Sequence, residues 1–136
     1  MRKKHLFDIK IGDTSIFEKT ITEADIFAFA GISGDFNPLH VSETFANNTR
    51  FRGRIAHGML SASLIDYTLT DIIGLGGIHI SQYIKFQAPV MVGDTIRATS
   101  RIKEIIPEKN RVKIESTLTN QRDDIVITGI AEVKLP

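Results

Sequence analysis

From His57 to Ile73 the chain reads HGMLSASLIDYTLTDII, and a glycine-rich break at Gly74, Gly76 and Gly77 follows at once. The spacing predicts a single helix of about 25 Å at 1.5 Å per residue. Its apolar residues Met59, Leu60, Ala62, Leu64, Ile65, Leu69, Ile72 and Ile73 fall almost all round the axis and leave a narrow polar strip. A helix of that kind is enclosed by other structure rather than laid on a surface.

After the glycines the period changes from helical to alternating, in four runs: Ile78 to Phe86, Asp94 to Glu104, Arg111 to Gln121 and Asp124 to Lys134. Thr95, Arg97, Thr99 and Arg101 alternate with Ile96, Ala98, Ser100 and Ile102, and Glu108, Lys109 and Asn110 supply a turn before Val112 resumes the pattern. Antiparallel strands with one apolar face are expected. Upstream, Ser15 to Ile21 reads as a further strand. Thr22 with Asp25 is a capping-box variant opening a short helix. Its stripe of Ile26, Phe27, Phe29 and Ala30 stops at Gly31 and Gly34, and another short helix follows Ser42 with Phe45 and Ala46 turned inward. A long buried helix and a run of antiparallel strands make an α+β domain whose sheet curls around the helix.

The 136 residues fit one domain, and 42% hydrophobic with 24% charged residues fits an ordinary packed core. A net charge of +1 gives no general affinity for nucleic acid or an anionic membrane. The absence of cysteine excludes disulfides, thiolate chemistry and Cys-based zinc sites. No signal-type apolar run opens the chain, and Asp66 and Asp71 interrupt its most apolar window. A cytoplasmic protein without a membrane span is expected.

The densest cluster of unusual residues is Gly34-Asp35-Phe36-Asn37-Pro38-Leu39-His40. Pro38 fixes its own φ and keeps Asn37 out of helical angles, so Asp35 and His40 stand at the ends of a stiff turn. Such a carboxylate can take a proton from water while the imidazole orients that water or passes a proton on. Equally, Asp and Asn before Pro are ordinary turn formers. The second cluster is His57-Gly58-Met59-Leu60. The first turn of a helix leaves backbone N–H groups free for a developing oxyanion and Gly58 lets a ligand approach closely, while the competing reading has Gly58 permitting tight packing and His57 capping the helix. Arg50, Arg52 and Arg54 either meet phosphates or are solvated. Asn37, His57 and Arg54 are the further candidates for holding substrate. No metal-ligand spacing joins His40 or His57 to a partner, His5 and His79 have no evident partners, and neither a metal nor a cofactor is expected.

Together these segments resemble the MaoC-like (R)-specific enoyl-CoA hydratases, the hydratase 2 group of the hot-dog superfamily. The resemblance rests on GDFNPLH at Gly34 to His40, HGML at His57 to Leu60, the strand QYIKFQAPVMVGD at Gln82 to Asp94 and AEVKLP at Ala131 to Pro136. It implies a single hot-dog domain over residues 1–136, an acyl-CoA substrate and a homodimer whose two central helices share one continuous sheet. It also implies that Asp35 and His40 hold the catalytic water while the Gly58 N–H meets the thioester oxygen. A thioesterase of the same fold and a non-catalytic acyl-CoA-binding module are the alternatives. One departure stands out: Asp66 occupies a place where the similar short-chain hydratases carry serine, so it is either a surface residue or a polar group beside the acyl tunnel.

Overall fold

The computed structural model describes residues 1–136. Strands β1 (Thr14–Thr20), β2 (Ile78–Phe86), β3 (Thr95–Ile106), β4 (Arg111–Thr119) and β5 (Ile125–Lys134) form one sheet in the order β1-β3-β4-β5-β2. Every pairing is antiparallel. The helices are α1 (Glu23–Ser33), α2 (Pro38–Val41), α3 (Glu43–Asn47), α4 (Gly58–Ala62) and α5 (Ile65–Ile73). The α+β architecture is the expected one, with the sheet wrapped on the central α4–α5 unit.

Strict alternation decides which sheet face is covered. In β3, Ile96, Ala98, Ser100 and Ile102 are buried while Arg97 and Arg101 are exposed, and β4 repeats the pattern at Val112, Ile114, Ser116 and Leu118. Ile65, Leu69, Ile72 and Ile73 of α5 meet this face in one core cluster with Ile102, Ile114 and Ile127. Each such side chain contributes about 1.5–3 kcal/mol by leaving water. Three hydroxyls cross the core within it: Thr68 Oγ1 donates to the Ile65 carbonyl at 2.6 Å, and Ser100 Oγ bridges Thr68 at 2.6 Å and Ser116 at 2.7 Å. All three residues have zero exposure.

The structure corrects several expectations. The central helix is not continuous from His57 to Ile73, because Ser63 and Leu64 form a turn between α4 and α5. Ser63 Oγ donates to the Leu60 carbonyl at 2.6 Å, and Leu64 N–H and Asp66 N–H reach only three residues back, to Ser61 and Ser63. Serine's competition for its own backbone tightens the turn there. Nor is the helix enclosed by this chain alone, for Met59 is 57% and Tyr67 45% exposed. Gly31 lies inside α1, which runs on to Ser33 and ends on Gly34 with φ 78°. Phe27 and Phe45 are exposed rather than core, although Ile26, Ala30 and Ala46 are buried as expected. No helix is long and apolar enough to cross a membrane.

Candidate active site

The turn after α1 is built almost entirely from local bonds. Gly34 N–H donates to Ala30 O, Ser33 Oγ accepts from Asp35 N–H, and Asp35 Oδ1 accepts from Asn37 N–H at 3.1 Å. Asn37 Oδ1 in turn accepts from Leu39 N–H, capping the short α2 that Pro38 opens. The turn-forming reading of this segment holds, and the same bonds place the Asp35 carboxylate. Binding Oδ1 to the Asn37 amide leaves Oδ2 aimed at His40 Nε2, 3.8 Å away. The carboxylate is half exposed, while His40 is only 8% exposed.

His40 is oriented by the strand-like segment before α4: its Nδ1 lies 2.7 Å from the carbonyl of Ile55. A carbonyl can only accept, so Nδ1 carries the hydrogen and neutral His40 presents a bare Nε2 toward Asp35. The gap of 3.8 Å exceeds a direct hydrogen bond and leaves both atoms able to hold a third group. Ile55 is fixed in turn by a bridge to Met91, and Ala56 N–H donates to Val90 O at 2.8 Å. The PVMVGD stretch is itself anchored by buried Asp94, whose carboxylate accepts from Met91 N–H and Gln121 Nε2–H.

Beside His40 opens a cleft of ≈ 450 Å³, with Gly58, Met59, Phe86, Ala88, Val90 and Ile127 on its mostly apolar wall. The N–H groups of Gly58 and Met59 have no acceptor within the chain. A Cβ on Gly58 would come within 2.5 Å of the Phe86 ring, so only glycine lets the start of α4 lie against that ring. His40 and Gly58 thus face one space.

The other sequence candidates fall elsewhere. Asn37 is spent on capping α2. Arg54 is not on the cleft wall: its guanidinium donates to Glu43 at 2.8 Å and to Glu23 at 2.5 Å, and these carboxylates hold it protonated above its ordinary range. Arg50, stacked 4.8 Å from the Phe51 ring, is the arginine that lines the cleft. His57 is 3% exposed and turned away from the cleft, its Nε2 on the main-chain carbonyl of Asp35 at 2.9 Å. Nor does its side chain cap α4. Asp66 is 70% exposed on the rim of a second cleft, 3.5 Å from His79, which also bonds Gln82. His79 thus has partners, and His5 stacks on Phe7. Asp35, His40 and His57 bring ligand-type atoms within 4.8 Å of one another. Each imidazole spends one nitrogen on a carbonyl, which leaves one ring nitrogen apiece beside the Asp35 carboxylate.

Sequence reading missed Phe86 and the Ile55 carbonyl as parts of the site. Phe86 was readable only as one more apolar strand residue, and a backbone carbonyl carries no side-chain signal.

An antiparallel sheet closed over a central helix, with a carboxylate–imidazole pair beside that helix's start, is the hot-dog architecture of acyl-thioester enzymes. The model of the MaoC like domain matches residues 9–123, and the chain belongs to that family. It is 47% identical over 134 residues to an (R)-specific enoyl-CoA hydratase of Rhodospirillum rubrum, spanning 97% of this chain and 92% of that protein. With a 3-hydroxybutyryl-CoA dehydratase of Methylorubrum extorquens it shares 41% identity over 137 residues, 100% of this chain and 87% of the relative. The structure superposes on the unliganded R-hydratase PhaJ1 of Pseudomonas aeruginosa with a TM-score of 0.90 at 36% identity, covering 96% of this chain and 84% of that one.

Proposed function

We propose that residues 1–136 form one hot-dog domain that acts as an (R)-specific enoyl-CoA hydratase, adding water reversibly to a trans-2-enoyl-CoA to give the (R)-3-hydroxyacyl-CoA. The observation that carries the reading is the opposition of Asp35 Oδ2 and His40 Nε2 across 3.8 Å, beside the cleft that Gly58 enters. Both atoms are acceptors when His40 is neutral, so each takes one O–H of a single water and leaves an oxygen lone pair free. That lone pair forms the bond to C3 while the water's proton passes to the Asp35–His40 pair. The C2=C3 electrons move toward the thioester oxygen, and the Gly58 N–H binds the charge that develops there. The proton then returns to C2 on the same face, the thioester carbonyl re-forms, and the pair ends as it began. No cofactor enters the balance.

The enzyme acts as a homodimer in this reading. Strand β2 pairs only with β5, and it leaves Ile78, Tyr83 and Phe86 exposed on a strand with one edge unpaired. A long apolar edge of that kind suits a second copy that continues the sheet.

The decisive experiment follows crotonyl-CoA by enoyl absorbance, free thiol and product chirality together. Loss of the enoyl band with no thiol release and an (R) product is expected. Thiol release without hydration would make the protein a thioesterase, and binding without either change would make it an acyl-CoA-binding module.

A further inference from the structure

We propose that His57 is a positioning residue for Asp35, acting through the main chain rather than on substrate; this rests on the hydratase reading above. His57 is 3% exposed and absent from the cleft wall, yet it reaches back 22 residues to the Asp35 carbonyl at 2.9 Å. The carbonyl accepts, so Nε2 carries the hydrogen. Nδ1 is buried without a partner, and a hydrogen there would be an unsatisfied donor, so the tautomer with its hydrogen on Nε2 is the one that fits.

The same ring stacks on His40, with centroids 3.9 Å apart and planes at 29°, and meets Phe29 of α1 at 4.9 Å. One side chain therefore touches both halves of the proton-transfer pair. Apart from this bond, Asp35 is held by sequence neighbours only: Ser33 Oγ on its N–H and the Asn37 amide on its Oδ1. Those local bonds set the shape of the turn; Ile55 ties its far end, through its N–H on Leu39 O and its carbonyl on His40 Nδ1, and His57 ties the Asp35 end. His57 precedes Gly58 directly, so its grip on Asp35 fixes the carboxylate relative to the oxyanion donor as well as to His40. A misplacement of about 1 Å in such a constellation costs on the order of 10²-fold in rate.

The competing explanation is that His57 simply fills space between Phe29 and His40. The two differ in what substitution does. His57→Phe keeps an aromatic ring and removes the donor, whereas His57→Gln keeps an N–H donor at the reach of Nε2 and removes the ring. Positioning predicts that His57→Phe lowers kcat on crotonyl-CoA by about tenfold to a hundredfold with KM little changed, and that His57→Gln recovers most of the loss. Amide exchange supplies a readout independent of turnover: the Asn37 N–H should lose protection in His57→Phe and keep it in His57→Gln. His57→Leu serves as a second donor-free variant should the phenylalanine fail to fold. Equal losses in the Phe and Gln variants, native kcat per folded molecule in a donor-free variant, or failure of both donor-free variants to fold would each overturn the positioning role. An unsubstituted enzyme that hydrates no enoyl-CoA would instead sink the hydratase reading, and the exchange measurement would still decide what His57 holds.

Discussion

The turn at Gly34–His40 and the edge strand β2 are built in opposite ways. In the turn, nearly every polar group is satisfied within a few residues, by Gly34 N–H on Ala30, Asp35 Oδ1 on Asn37 and Asn37 Oδ1 on Leu39. Along β2 the apolar side chains remain uncovered, with Tyr83 66% and Ile78 57% exposed, and one edge has no ladder at all. The first region takes its shape from its own neighbours and needs only His57 and Ile55 from elsewhere in the chain to hold its two ends. The second is left open within the chain, with apolar side chains in water and one edge unpaired.

The sharpest way to break this contrast is to change the turn's chemistry without its bonds. Asp35→Asn keeps an oxygen for the Asn37 amide and should leave thermal unfolding unchanged while kcat falls by about 10³-fold, within the range general acid–base groups supply. His40→Gln should fall similarly, and the double variant little further, because the two act on one water. Multiplying losses would assign them to separate steps.

Next comes the point where the two regions touch, at Gly58 against Phe86, the last residue of β2. Gly58→Val crowds that ring and the thioester's approach together, and a loss of about 10²- to 10³-fold is expected if the N–H serves the oxyanion. Adding Phe86→Ala makes room for the new side chain. A double variant that regains stability but not kcat supports the oxyanion role, while full recovery of both reduces Gly58 to packing.

A smaller effect tests the unfinished edge. Tyr83→Lys places a charge amid the exposed apolar side chains of β2 and should weaken self-association by roughly thirtyfold, the equivalent of about 2 kcal/mol for an aromatic anchor. Sedimentation at several concentrations reads this directly, and a dimer constant that does not move would place the contact elsewhere. The smallest effect is expected at the N-terminus of α1, where Thr22 Oγ1 accepts from Asp25 N–H and Asp25 Oδ2 accepts from Thr22 N–H. Thr22→Ala should cost about 1 kcal/mol. The Lys19 ammonium, and then the Thr22 N–H, hold the Asp25 carboxyl below its ordinary range. Its contribution is therefore complete above the unfolded value near pH 3.9 and is lost as pH falls through the lower folded value. Unfolding curves for Asp25→Asn and the unsubstituted protein should accordingly converge in strong acid.

These contrasts also explain what could be read from the sequence. The Thr22–Asp25 box, the Asx turn at Asp35 and the alternation of β3 and β4 depend on neighbours along the chain or on a regular period, and each emerged where the residues placed it. The break at Ser63–Leu64 was hidden because serine is compatible with a helix, and only the Ser63 bond to Leu60 turns it against one. Arg54 read as free because its partners Glu23 and Glu43 are 31 and 11 residues away. Phe45 and Met59 read as core because an exposed apolar residue has the same sequence signature as a buried one. His57 was visible as unusual, but its bond to a main-chain carbonyl 22 residues distant leaves no trace in residue types.

The three core hydroxyls have an orientation as well as a place. Thr68 gives its only hydrogen to Ile65 O, so Ser100 must give its own to Thr68, and Ser116 must give its own to Ser100. The chain of donors runs one way, from β4 through β3 into α5, and no link can be reversed without orphaning another. Slipping β4 by one residue would turn Ser116 outward and bring Thr117 or Glu115 into the core in its place. The hydroxyl row therefore adds a second check on assembly: the apolar alternation already penalises a slipped strand, and a mispaired sheet here also carries unsatisfied donors deep inside it.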